Sequence, residues 1–186
     1  MYQHITLEIV QDEYPRNPRD ESDNLSTFYG PRGTRYIVGG KDDIELSRES
    51  LEETIKAFRK EGAIVEEFES NAGACYAVVF REQLKKEYLD HGYSMRKALY
   101  HARQCAKGEI KTWLAWCEGE VYGYIIRGTD GEDLESCWGF YGREYAEGEG
   151  QGAAEYHERK IESLIQAEER AIKARLNYVK NYNESV

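Results

Sequence analysis

The sequence has little of what marks a secreted, membrane-spanning or metal-stapled protein. It holds four cysteines in 186 residues, Cys75, Cys105, Cys117 and Cys137, with no Cys-x-x-Cys pair. That spacing argues against a disulfide framework and for reduced thiols. Prolines number three, and two of them, Pro15 and Pro18, sit in one polar stretch. No apolar run approaches the ~20 residues needed to span a bilayer. The opening MYQHITLEIV lacks the basic region and apolar core of a signal peptide, so the chain is expected to stay in the cytoplasm. Four histidines are present, His4, His91, His101 and His157, and none belongs to a His-Glu-x-x-His motif. His101 and Cys105, four apart, would share a helix face, but two ligands fall short of the four that zinc usually takes. Walker, dinucleotide-binding and Gly-x-Ser-x-Gly patterns are all missing. Glu132, Asp133 and Glu135 could hold a divalent cation, yet they lack EF-hand spacing. The expectation is a non-enzymatic chain with no catalytic residue, no metal and no cofactor.

Bases are also in short supply. Twenty-five stand against 35 acids, for a formal charge of −10. The window from Asp130 to Glu158 holds nine acids and one base, Arg143, a net of −8. Such a field repels phosphates and attracts basic surfaces. Asp130, Glu132, Asp133, Glu135, Glu144, Glu147 and Glu149 are therefore the candidate partner-binding residues; the alternative is a solvated face kept for solubility. Arg32 and Arg35, in GPRGTRY, are candidates for an anion or nucleic-acid contact, against an ordinary turn. Tyrosine, by contrast, is abundant at 15 residues. Tyr122 and Tyr124 on one strand, with Trp138, Phe140 and Tyr141 on the next, could offer stacking faces to single-stranded nucleic acid. Alternation puts Trp138 and Phe140 on one face. Core packing across the hairpin is the plainer use of the same rings.

Periodicity gives the elements. Ile5, Leu7 and Ile9 alternate with polar residues as a strand does. DEYPRNPRDESDN reads as a long loop, FYGPRG as a turn and TRYIVGG as a short strand. Ser47 or Ser50 caps a helix to about Lys60, with Leu51, Ile55 and Phe58 on one face. Strands follow at 63–69 and 75–80, then helices at 81–89 and 93–106. Residues 110–117 fit either helix or strand. A strand at 120–127, an Asp130-Gly131 turn and SCWGFYG make a hairpin. Gln151 to Tyr182 reads as one helix, striped by Ile161, Leu164, Ile165, Ile172, Leu176 and Val179. The sum is an α+β fold: a mainly antiparallel sheet of about five or six strands, helices on one side and a long C-terminal helix. The division expected is an α+β domain over 1–148 and a C-terminal helix over 149–186. That helix packs on the domain or pairs with a second copy.

The pieces Glu120-Val121-Tyr122-Gly123-Tyr124 and Glu135-Ser136-Cys137-Trp138-Gly139-Phe140-Tyr141-Gly142 together resemble the C-terminal signature of a family of uncharacterised small acidic proteins encoded by bacteriophages and other mobile elements. Asp23-Asn24-Leu25, after its proline-containing acidic loop, resembles that family's N-terminal signature. Asn71-Ala72-Gly73-Ala74-Cys75-Tyr76 is a looser counterpart. The resemblance covers about residues 5 to 145. It departs where Ser22 replaces a frequent tryptophan and where a cysteine pair between the last strands is missing. It implies a phage or mobile-element origin and a host-cytoplasmic setting, with no catalytic residues to carry over. With the clustered acidity, the expected role is an accessory protein that binds and inhibits a host factor. A nucleic-acid-handling defence enzyme is the expected target, which makes the chain an anti-CRISPR or anti-restriction inhibitor acting as a DNA mimic. The alternatives are a nucleic-acid-associated replication factor and a structural or scaffolding dimer.

Overall fold

A computed structural model describes residues 5–20, 24–33, 43–70 and 72–183, with side chains described as far as 178. In chain order the elements are β1 (Ile5–Gln11), β2 (Thr27–Pro31), β3 (Ile44–Leu46), α1 (Arg48–Lys60), β4 (Ile64–Ser70), β5 (Gly73–Val79), α2 (Arg81–Leu84), α3 (Met95–Cys117), β6 (Val121–Gly128), β7 (Asp133–Tyr141) and α4 (Arg143–Asn183). The α+β class, the mainly antiparallel pairing and the long last helix all hold. The strands, however, form two sheets, of order β1-β6-β7 and β3-β2-β5-β4. The chain divides into two compact units, Met1–Glu13 with Val121–Val186, and Tyr14–Glu120. The boundary expected after residue 148 thus lies inside α4.

In the unit built from the two chain ends, β1 and β6 pair antiparallel, with Leu7 opposite Ile126 and Ile9 opposite Tyr124. These side chains share one face with Ile5 and Phe140, and α4 covers them with Ala153, Ala154 and Ile161. Residues 143–161 of α4 rise about 27 Å, close to the ~30 Å run of a nine-residue strand. The helix therefore spans the sheet and then continues past Ile161. Contact is close because the residues facing the sheet are small: Ala146 is fully buried and Ala154 nearly so. At Gly150 a Cβ would lie 2.9 Å from Leu7 Cδ1 and 3.1 Å from Tyr124 Cβ. The helix begins at Arg143, eight residues before the expected start at Gln151, and carries Gly148, Gly150 and Gly152 within it.

The unit formed by residues 14–120 carries helices on both faces of its sheet, where one side was expected. Strand β5 alternates, sending Cys75, Ala77 and Val79 to the α3 side and Tyr76 and Val78 to the α1 side. On the α3 side Trp113 packs edge to face with Phe28 and Phe68, at 5.9 and 5.5 Å between centroids, and the two phenylalanines are tilted to each other at 5.0 Å. On the α1 side Leu51 and Ile55 pack against Tyr29 and Val78. Ser47 caps α1, its hydroxyl accepting from Ser50 N at 3.3 Å. The ambiguous stretch 110–117 is the last part of α3. FYGPRG is not a turn. Thr27 to Tyr29 pair with β5, and Tyr29 to Pro31 pair with β3. Pro31 is tolerated because the β5 ladder has ended before it. The strand expected over TRYIVGG lies outside the described residues.

The stretch read as a plain loop holds a buried charge. Arg19, in a 3-10 turn over Pro18–Asp20, is 5% exposed. Its guanidinium grips both oxygens of Asp43, at 2.8 and 3.1 Å. It also reaches Glu109 Oε2 at 3.1 Å and the Ser26 carbonyl at 2.6 Å, and lies 3.9 Å above the Phe28 ring. Glu109 accepts from Leu25 N at 2.6 Å, from Ser26 N at 3.1 Å and from the Ser26 hydroxyl. Asp43 accepts from Phe28 N at 3.0 Å. Each charge is desolvated yet hydrogen-bonded on several sides, the only condition under which such burial is stable.

Candidate acidic binding surface

The charge is unevenly divided. The unit formed by Met1–Glu13 and Val121–Val186 contains 16 acids and 8 bases, so it carries −8 of the −10. The other unit is nearly balanced, with 19 acids and 17 bases.

The seven predicted acids do not form one patch. Asp130, Glu132 and Asp133 sit at the β6–β7 turn, while Glu144, Glu147 and Glu149 sit on the first turns of α4. The length of β7, ~30 Å for nine residues, separates the two groups. Four of the seven are engaged within the fold; Asp130 accepts from Glu132 N at 3.2 Å and Glu147 from Arg143 Nε at 2.8 Å. Asp133 accepts from Arg127 Nε at 2.8 Å, and Arg127 also pairs with Glu8. Glu135 accepts from the Tyr124 hydroxyl at 2.7 Å and lies 2.8 Å from His157 Nε2. The Tyr124 bond, then the His157 bond, hold the Glu135 carboxyl below its ordinary range. Burial first, and the same Glu135 contact second, push Tyr124 up to about 12. Glu135 is thus a brace between β7 and α4 more than a free contact residue.

The helix supplies a longer arrangement that the window count missed. At 100° per residue, Glu144, Glu147, Glu155, Glu158, Glu162 and Glu169 fall within roughly 80° of one another on α4. All but Glu158 are exposed. The residues that face the sheet, Ala146, Gly150, Ala154, His157 and Ile161, lie to one side and include no acid. The result is a ridge of carboxylates about 38 Å long, counted as 25 rises of ~1.5 Å. Arg143 and Arg159 pair with Glu147 and Glu155, at 2.8 and 3.8 Å. Such exposed pairs hold little energy and leave the ridge acidic. The spacing was readable in the sequence, but only once the helix is known to start at Arg143.

The aromatic reading needs a correction. Gly139, at φ +85°, opens a bulge in β7, and the register shifts between Tyr122 and Tyr124. The extra residue reverses the alternation. Phe140 stacks on Tyr124 at 5.6 Å within the core, whereas Trp138 lies over Gly123 on the opposite face, 46% exposed. The two rings form no common stacking surface. Arg32 is exposed in a turn whose backbone N–H donates to Leu46 O at 2.9 Å; Arg35 lies outside the described residues.

A basic face does exist, elsewhere. Arg96, Arg103, Lys107 and Lys111 follow one side of α3 with Tyr100 among them. Arg96, Tyr100, Arg103 and Lys107, together with Met95, Leu99 and Gln104, line an open groove of about 690 Å³. Arg103 and Lys107 approach Glu66 only loosely, at 4.0 and 3.8 Å. His101 packs among Tyr88, Tyr93 and Tyr100, and Cys105 meets the Tyr88 hydroxyl at 3.3 Å. Among the described residues no group of three or more His, Cys, Asp or Glu is placed to hold a metal ion. No helix among them is long and apolar enough to cross a membrane. The chain matches no protein-family model, no curated protein and no solved structure.

Proposed function

We propose that this chain is a non-enzymatic binding protein of phage or mobile-element origin that occupies the basic groove of a host protein. The observation that carries the reading is the α4 ridge: six glutamates on one helix face, in a unit with −8 of the net charge. A rigid line of carboxylates offers a cationic groove the charge pattern it was built to read on a phosphate backbone. A nucleic-acid-handling defence enzyme, of the CRISPR or restriction type, is the target this chemistry favours. Inhibition then follows from competition, because the groove cannot hold both the ridge and nucleic acid. The setting is the host cytoplasm.

The test is affinity capture from bacterial lysate after nuclease treatment, followed by inhibition assays on the recovered protein. A partner that loses nucleic-acid binding as the chain is added supports the reading. The variant Glu144→Lys, Glu147→Lys and Glu155→Lys should abolish capture with an unchanged circular dichroism spectrum. Capture that survives these reversals refutes the acidic ridge as the binding surface.

The α3 groove favours a second reading, a nucleic-acid-associated accessory factor. Its basic side chains lie where a backbone could track, with Tyr100 offering a ring. A mobility shift with single-stranded oligonucleotides that Arg96→Glu and Lys107→Glu remove would support it. No shift at low salt would dismiss it.

A further inference from the structure

Ile161 is the last residue of α4 that packs on its sheet. The apolar stripe nevertheless continues along the same side of the helix. Leu164, Ile165, Ile172 and Leu176 are 62%, 39%, 52% and 59% exposed. A lone helical extension of this length is marginal in water, and a row of bare aliphatic side chains makes it worse.

The charges along the extension choose its cover. From Glu155 to Glu169 there are five glutamates and two bases. From Arg170 to Asn183 there are four bases, Arg170, Lys173, Arg175 and Lys180, and no acid. The sign changes at one point, between Glu169 and Arg170. A parallel neighbour of the same sequence would set like charge on like charge. An antiparallel neighbour sets each acidic half on a basic half.

We propose that a second copy of this chain covers the stripe, the two α4 extensions pairing antiparallel about a dyad between Glu168 and Glu169. One register pairs the apolar side chains. It sets Ile165 against Ile172 and Ile161 against Leu176, brings Lys173 near Glu162 on the flank the two helices share, and leaves Glu168 and Glu169 of the two copies together at the dyad. The dyad repeats every one of these pairs, as a closed two-fold interface requires. The pairing does not rest on the proposed function, but it shares Glu162 and Glu169 with the acidic ridge, so changes at Ile165 and Ile172, which are not ridge residues, separate the two readings.

Sedimentation of the full chain over a concentration series tests this. The wild type should pass from monomer to dimer as its concentration rises across the series, as mass action requires. Ile165→Glu with Ile172→Glu should give a monomer, without loss of the sheet signal, because both residues are exposed. Glu162→Lys and Lys173→Glu should each weaken the dimer severalfold, and the two together in one chain should restore it. A wild type that stays monomeric overturns the proposal and leaves the stripe to a different chain. So does a dimer that survives the two isoleucine changes. A doubly swapped chain weaker than either single variant overturns the antiparallel register.

Discussion

Three glycines of α4, Gly148, Gly150 and Gly152, turn one substitution into a test of how the helix meets its sheet. Alanine in place of an interior helical glycine gains about 0.5–1 kcal/mol from backbone entropy. At Gly148 and Gly152 a Cβ would meet nothing within 4 Å, so that gain should appear in full. At Gly150 the Cβ would sit 2.9 Å from Leu7 Cδ1 and 3.1 Å from Tyr124 Cβ. Leu7 can turn its methyl away, but Tyr124 Cβ is fixed to its strand, so helix and sheet must separate by a few tenths of an ångström. Overpacking of this kind costs about 1–3 kcal/mol, which cancels or exceeds the propensity gain. Gly148→Ala and Gly152→Ala should each raise the melting temperature by a few degrees, at about 4–8 °C per kcal/mol for a unit this small. Gly150→Ala should leave it unchanged or lower, and Gly150→Val lower still. Thermal unfolding followed by circular dichroism reads all four. If Gly150→Ala stabilises as much as Gly148→Ala, the close approach of helix and sheet is wrong.

Other consequences follow from single groups. Arg19→Met should cost about 3–5 kcal/mol, because it leaves Asp43 buried without its partner; a fall in melting temperature of less than roughly 10 °C would contradict the clamp. Of the four free thiols, exposed Cys105 and Cys137 should react quickly with a disulfide reagent at neutral pH. Cys75 is buried, and burial, then Glu118, pushes Cys117 up to about 12, so both should wait for unfolding. The carboxyl of Glu135 sits below its ordinary range, so its stabilising effect is present above its unfolded value and lost as pH falls through the lower folded value. The stability gap between wild type and Glu135→Gln should therefore close below about pH 4, and a gap constant with pH would dismiss the brace. Tyr124, raised to about 12, works the other way. Its contribution is complete below the ordinary tyrosine value and lost as pH rises through about 12.

Local pattern revealed much of this fold. Alternation at Ile5, Leu7 and Ile9 marked β1, Asp130-Gly131 marked the hairpin, and the stripe from Ile161 onward marked α4. The misses share a cause, which is that long-range partners override local signals. Arg19 looks like a loop residue until Asp43 and Glu109 are brought to it from 24 and 90 positions away. Phe28 to Pro31 looks like a turn until β3 and β5 flank it. The Gly139 bulge reversed the faces of Trp138 and Phe140, which no period-2 count can foresee. The acidic window was visible in composition, but its seven chosen residues are split by the length of β7. The ridge emerges only when the helix is carried back to Arg143, through glycines that propensity counts against it.

The most direct measurement is the salt dependence of binding between this chain and the partner it captures, for wild type and for the chain with Glu144, Glu147 and Glu155 changed to lysine. The account predicts affinity that falls about tenfold or more from 50 to 200 mM salt for the wild type, and no measurable binding for the variant. Binding that is insensitive to salt and equal in the two proteins would contradict it.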